Sequence, residues 1–143
     1  MPPEVFESLR SHVWAYPALE VVHITGISLL LGNLALLELR VFGAGSDLPV
    51  KALARLALGI ALAGFSLAAA SGLLMFASQA AELLSNRVFT LKMLLLFAAG
   101  CNAAWFHGRA SLEKLDGVAR AQMLVSTLIW LAVLACGRWI AYV

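Results

Sequence analysis

Charge is scarce in this sequence. Only 13% of the 143 residues are charged, where a soluble domain of this size carries about a quarter. The 10 basic and 8 acidic side chains are clumped rather than spread, and 62% of the chain is hydrophobic. One compact unit over residues 1–143, with lipid around most of it, is therefore expected. The formal net charge of +2, mixed in sign, is too small for a nucleic-acid footprint, so no nucleic-acid partner is expected. Cysteine is scarce too. Cys101 and Cys136 both sit in apolar runs, where a free thiol behaves as a small hydrophobe, and neither belongs to a CxxC motif or a disulfide framework. The sequence holds no nucleophile constellation, phosphate loop or zinc motif. A secretory leader is not indicated either. Met1–Val13 holds two acids and one Arg, and the apolar run behind it is too long and has no clear cleavage site, so this segment is expected to stay in the mature protein.

What the chain has is apolar runs. A spanning helix needs about 20 mainly apolar residues, and four stretches qualify: about 18–41, 56–81, 89–107 and 121–142. Glu20, His23, Glu38 and Arg40 interrupt the first near its ends; the second has no formal charge; Lys92 enters the third and Arg138 closes the fourth. The backbone must satisfy its own hydrogen bonds in lipid, so helices are expected and the fold class is an all-α, four-helix membrane bundle. Gly43, Gly45 and Pro49 end the first helix and turn the chain, and Ser85 or Asn86 suits the N-cap of the third. Gly108 to Arg120 forms a charged loop with room for a short amphipathic turn. Pro2 and Pro3 suit the start of a small helix, Glu4 to Val13. Trp14, Tyr16, Trp139 and Tyr142 suit the membrane interface. Gly59, Ala63, Ser66 and Ala70 form a stripe of small residues that predicts close helix packing.

Basic residues set the expected orientation. The first and third connections carry Arg40, Lys51, Arg55, Arg109, Lys114 and Arg120, against Arg10, Arg87, Lys92 and Arg138 at the other end. The positive-inside rule then places both termini on the non-cytoplasmic side.

Depth selects the polar residues that can meet. At 1.5 Å per residue, His23 lies roughly 8 Å inside the outer end of the first span, Lys92 about 5 Å and Arg138 about 6 Å inside theirs. Met75, Met93 and Cys136 fall in the same third of the bilayer. His107 is about 20 Å away along the normal and cannot share a small site with His23. For Lys92 and Arg138 the plain alternative is snorkelling to the interface. For His23 it is a hydrogen bond to Glu20 or to a backbone carbonyl. Gly26, one turn further in, leaves room for a flat group beside the imidazole, and Asn33 continues that face.

Two site chemistries fit. In one, His23 ligates b-type haem, with Lys92 and Arg138 pairing its propionates and a second axial ligand from His12, Met75, Met93 or His23 of a second copy. In the other, His23, Met75, Met93 and Cys136 form a soft site suited to Cu(I), against which the nearby cations argue. A structural or assembly subunit without a cofactor is the third reading.

Leu19-Glu-Val-Val-His23-Ile-Thr-Gly26, with Leu29-Leu-Leu-Gly-Asn33 and Glu38-Leu-Arg40 behind it, resembles the first helix of a family of small uncharacterised bacterial membrane proteins. Ser71-Gly-Leu-Leu-Met-Phe76, then Asn86-Arg-Val-Phe89-Thr-Leu-Lys92 and Asn102, is similar to that family's middle. More distantly, the His-x-x-Gly and Phe-x-x-Lys helices resemble the copper-resistance protein D family and the HemJ-type protoporphyrinogen oxidases. The resemblance implies a four-helix core in the bacterial inner membrane and a haem or copper connection, with His23 and Lys92 at the matching positions. Asn102, without a nearby His, departs from the HemJ-type pattern, which has a further His in the Lys-bearing helix. The leading expectation is a redox-cofactor protein serving electron transfer or quinone chemistry, in contact with the lipid bilayer and with a second copy or a membrane-complex partner.

Overall fold

The computed structural model describes residues 7–8 and 11–143. Four long helices dominate: α1 (Ala15–Val41), α2 (Val50–Ser78), α3 (Arg87–Gly108) and α4 (Gly117–Trp139), the last continued by a 3₁₀ turn over Ile140–Tyr142. Each of the four is long and apolar enough to cross a membrane, so the chain is a multi-pass, all-α membrane protein. Two short helices, Ala80–Leu84 and Ser111–Lys114, lie in the second and third connections. The expected opening of an N-terminal helix by Pro2 and Pro3 lies outside the described residues; of that segment, Glu7, Ser8 and Ser11 are helical.

Local chemistry sets the helix ends. Pro49, at φ −62° and ψ 120°, precedes α2, which starts at Val50 and so six residues before the expected Leu56. Gly43 and Gly45 both hold positive φ in the first connection, a conformation that favours residues without a Cβ. Asn86 caps α3: its Oδ1 accepts from the backbone N–H groups of Val88 at 2.9 Å and Phe89 at 3.3 Å. Asp116 does the same for α4 through Ala119 N–H at 2.9 Å.

The helices pack as two hairpins. α1 makes its main contact with α2, and α3 with α4, while α1 and α4 join the pairs along a thinner seam. At the α1–α2 crossing the backbones touch: a Cβ on Gly26 would stand 2.6 Å from the Gly64 carbonyl oxygen, and one on Gly64 would stand 2.5 Å from that of Gly26. Such an approach is open only to glycine. The buried stripe of α2 is Ala54, Ala57, Ala61, Gly64, Ala68 and Ser71. The expected Gly59-Ala63-Ser66-Ala70 stripe is instead exposed, and nothing lies within 4 Å of a Cβ on Gly59. Gly26 likewise does not leave room for a flat group, because α2 backbone fills the space.

Away from the crossing, the bundle closes around Leu37, Val41, Ala54, Phe106, Ala119 and Met123, at the end that carries the first and third connections. The Thr127 hydroxyl donates to the Glu38 carboxylate across the α1–α4 seam. Large apolar side chains such as Leu62, Leu94, Phe97 and Leu128 remain more than 60% exposed, as lipid-facing residues do.

The third connection is tied down by charge. Arg109 donates to both carboxylate oxygens of Asp116, at 3.1 and 2.8 Å, and to the Ser111 hydroxyl at 2.9 Å. Inside this clasp Ala110 and Leu115 adopt φ of 56° and 46°, each a left-handed conformation costing roughly 1–2 kcal/mol for a residue with a Cβ. The Arg109 guanidinium holds the Asp116 carboxyl far below the usual carboxylate range, with help from the Ala119 N–H. A carboxyl depressed by folding stabilises the native state above its unfolded pKa, near 3.9, and loses that contribution as pH falls toward its folded value. Asp116→Asn should therefore lower thermal stability at neutral pH, and the gap to wild type should narrow below about pH 4. Thermal unfolding curves of the two proteins that run parallel at every pH would show that the clasp does not act this way.

Candidate functional site

His23 sits on α1 at the level of Ala68, Ser71 and Gly72 of α2. Its Nδ1 lies 2.8 Å from the Ala68 carbonyl oxygen and 3.1 Å from the Ser71 hydroxyl oxygen. The Ser71 hydroxyl donates back to Leu67 O at 2.7 Å, so it can accept from the imidazole. Two acceptors at one nitrogen favour the tautomer with the proton on Nδ1, which leaves the Nε2 lone pair at the far edge of the ring. The partner is thus a carbonyl of the neighbouring helix rather than Glu20, which is exposed on its own face. Gly72 supplies a flat floor: a Cβ there would stand 3.2 Å from His23 Cε1.

Lys92 reaches this neighbourhood from α3. Its ammonium packs 3.6 Å from where a Cβ on Gly137 of α4 would stand. It is close enough to interact electrostatically with both the His23 imidazole and the Cys136 thiol. Among the described residues no carboxylate lies within ion-pair distance of Lys92, and the ion pairs are Lys51–Glu113 and Arg109–Asp116, both remote from it. Cys136 is buried beside it on α4. His23, Lys92 and Cys136 are thus contributed by α1, α3 and α4, with Ala68, Ser71 and Gly72 of α2 against the imidazole, and the ammonium has no acid partner among the described residues.

The other expected site residues lie further out. Arg138 is exposed and turned along its own helix, donating to the Tyr142 hydroxyl at 2.7 Å with its guanidinium carbon 5.1 Å from that ring's centroid. This is the placement of a cation at the interface. His12 is exposed before the start of α1, its Nδ1 accepting from Trp14 N–H at 3.2 Å. The helical rise from Ala15 to His23 separates it from His23 by roughly 12 Å or more. Met75 is half-buried one turn beyond Ser71 on α2, and Met93 is 41% exposed on α3. Among the described residues no three of His, Cys, Asp and Glu gather as a metal-binding group. Asn33 bonds within α1, to Leu29 O at 2.7 Å.

Several polar contacts were not anticipated from sequence. Ser71 supports His23, Asn102 donates to the Gln122 backbone oxygen at 3.0 Å, and Ser111 donates to Gln122 Oε1 at 2.5 Å. The one available signal was a polar residue interrupting an apolar helix, which marks a position in need of a partner without naming it.

The fold and this polar centre define a multi-pass helical membrane protein with an imidazole and an ammonium set within its bundle. No family model, curated protein or solved structure matches the chain.

Proposed function

We propose that the chain binds a redox cofactor, b-type haem, through His23, in the half of the bilayer that contains the chain termini. The observation that carries this reading is the Nδ1 contact of His23 with the Ala68 carbonyl, 2.8 Å long. A ligating histidine commonly donates its other ring N–H to a carbonyl, which sets the tautomer and raises the basicity of the ligating nitrogen. Lys92, with no acid beside it among the described residues, would supply the positive charge that an anionic cofactor group needs. Bound haem would supply one-electron chemistry. His23 would hold the iron, and Lys92 would hold a propionate near the membrane surface. Met75, half-buried one turn along α2 from Ser71, would serve as a further ligand. Arg138 is left out of this set because Tyr142 engages it.

The basic residues of the first and third connections support an orientation in the bacterial inner membrane with both termini non-cytoplasmic. The copper reading is weaker, because Lys92 stands beside Cys136 and would repel a metal cation there.

A reduced-minus-oxidised visible spectrum of the protein, purified in mild detergent from haem-replete cells, tests the proposal. A sharp b-type band is expected, and His23→Ala should abolish it while leaving folded protein in the membrane. A flat spectrum from well-folded wild type, or an unchanged band in His23→Ala, would overturn it.

A further inference from the structure

His23 belongs to the α1–α2 hairpin and Lys92 to the α3–α4 hairpin, so the seam between the hairpins passes through their centre. On one side of that seam α1 and α4 pack directly. On the other side α2 approaches the second hairpin only at isolated points. Two ring contacts bridge it there: Phe76 of α2 with Phe89 of α3, and Phe65 of α2 with Trp130 of α4.

The first pair stands beside the site. Phe76 follows Gly72 by one turn, on the face that meets the His23 ring, and Phe89 precedes Lys92 by three residues, on the same face of α3. The two rings stack nearly parallel, at 11° with centroids 5.4 Å apart. The second pair lies about three turns further along α2, roughly 16 Å toward the opposite end of the bundle.

The ties around the first pair run within the hairpins. Gln79, just past the end of α2, interacts with the Tyr16 hydroxyl of α1. The Asn86 amide, at the start of α3, donates to the backbone oxygens of Ile140 and Val143 beyond α4, at 3.5 and 3.3 Å. No ion pair joins α2 to α3 among the described residues. Besides the connecting segment 79–86, the stacked rings therefore carry the α2–α3 contact at this level. A ring pair shifts an equilibrium by only about two- to tenfold beyond the area it covers, so a closure of this kind is weak enough to open.

We propose that the Phe76–Phe89 stack is a gate on the α2–α3 side of the bundle, through which the ligand of the His23–Lys92 centre enters from the bilayer. That the ligand is haem rests on the reading above; the gate rests on the ring pair and the loosely packed seam. On this route the apolar body of the ligand stays in lipid, and its anionic end meets Lys92 directly behind Phe89.

Thiol labelling in lipid nanodiscs tests it, with N-phenylmaleimide as the lipid-soluble probe and peptide mass spectrometry as the readout. Cys136, buried beside Lys92, reports the opening, and Cys101, exposed on α3, corrects for the amount of probe in the bilayer. The ratio of Cys136 to Cys101 labelling should rise by about fivefold in Phe89→Ala and in Phe76→Ala alike. Phe65→Ala removes a ring of the same size from the deeper contact and should leave the ratio unchanged. Haemin added to the cofactor-free protein should enter Phe89→Ala faster than wild type by a similar factor. A raised ratio with no haemin uptake by either protein would sink the haem reading and leave the gate standing. An unchanged ratio in both Phe89→Ala and Phe76→Ala, an equal rise in Phe65→Ala, or haemin uptake at one rate in both proteins would overturn the proposal.

Discussion

Gly64→Val is expected to take apart the α1–α2 hairpin. Even a bare Cβ at this position would lie 2.5 Å from the Gly26 carbonyl oxygen and 2.8 Å from the Leu30 nitrogen. Both are backbone atoms, which cannot rotate aside as a side-chain tip can. The helices must therefore separate by about 1 Å to restore ordinary van der Waals distances, and every contact along the seam weakens together. Overpacking commonly costs about 1–3 kcal/mol, and a rigid backbone obstacle places this variant at or above the top of that range. No hydrophobic force restores the contact, because acyl chains solvate the parted surfaces as well as the partner helix did. Gly59→Val is the matched control: nothing lies within 4 Å of its Cβ, so its effect should stay within about 0.5 kcal/mol. Denaturant titration of both variants in mild detergent checks the pair. Equal stability of the two would remove the crossing from the account of the fold. The same separation would draw the Ala68 carbonyl away from His23, so Gly64→Val should also lose any visible band that His23→Ala loses.

Lys92→Met is expected to divide stability from function. The ammonium has no acid partner among the described residues and lies roughly 7–8 Å inside the start of α3, where burial in a bilayer is unfavourable. The cost at the centre of a membrane is about 2.5–3.5 kcal/mol on insertion scales and smaller toward an end. A methionine of similar length should therefore leave the cofactor-free protein as stable as wild type or more so. Cofactor retention should fall by about tenfold or more, the worth of one charge-assisted hydrogen bond to an anionic group. The two measurements are thermal stability of the cofactor-free protein and haem content after detergent exchange. Unchanged haem content in Lys92→Met would make the residue a snorkelling cation and nothing more.

The spans were legible because lipid imposes one requirement on every residue of a long stretch, and hydropathy sums it. The packing faces were much less so. On α2 the buried set from Ala54 to Ser71 and the exposed set from Gly59 to Ala70 are both rows of small residues at helical spacing. In water an apolar stripe opposite a polar one would tell them apart; in lipid both faces are apolar, and only the partner helix decides. Gly26 was misleading for the same reason, since a missing side chain can admit either a ligand or another backbone. Depth arithmetic put His23, Lys92 and Arg138 at one level, with Met75, Met93 and Cys136 in the same third of the bilayer. It could not foresee that Arg138 turns toward Tyr142, because depth says nothing of azimuth around the helix. The Gln122, Asn102 and Ser111 contacts depend on which helices are neighbours, which single-chain periodicity does not encode.

The two-hairpin arrangement has a consequence for assembly. Most interhelical contact is made between sequence neighbours, α1 with α2 and α3 with α4, and the connection between the pairs is the short segment 79–86 with its exposed Glu82 and Leu84. A chain severed within that segment would keep its tightest interfaces inside each half. Coexpressed as 1–82 and 83–143, the halves would enter the bilayer as separate helical pins and meet by lateral diffusion. The His23–Lys92 neighbourhood, drawn from both halves, would form only on their encounter, so restored cofactor binding would report the meeting of two independently inserted units.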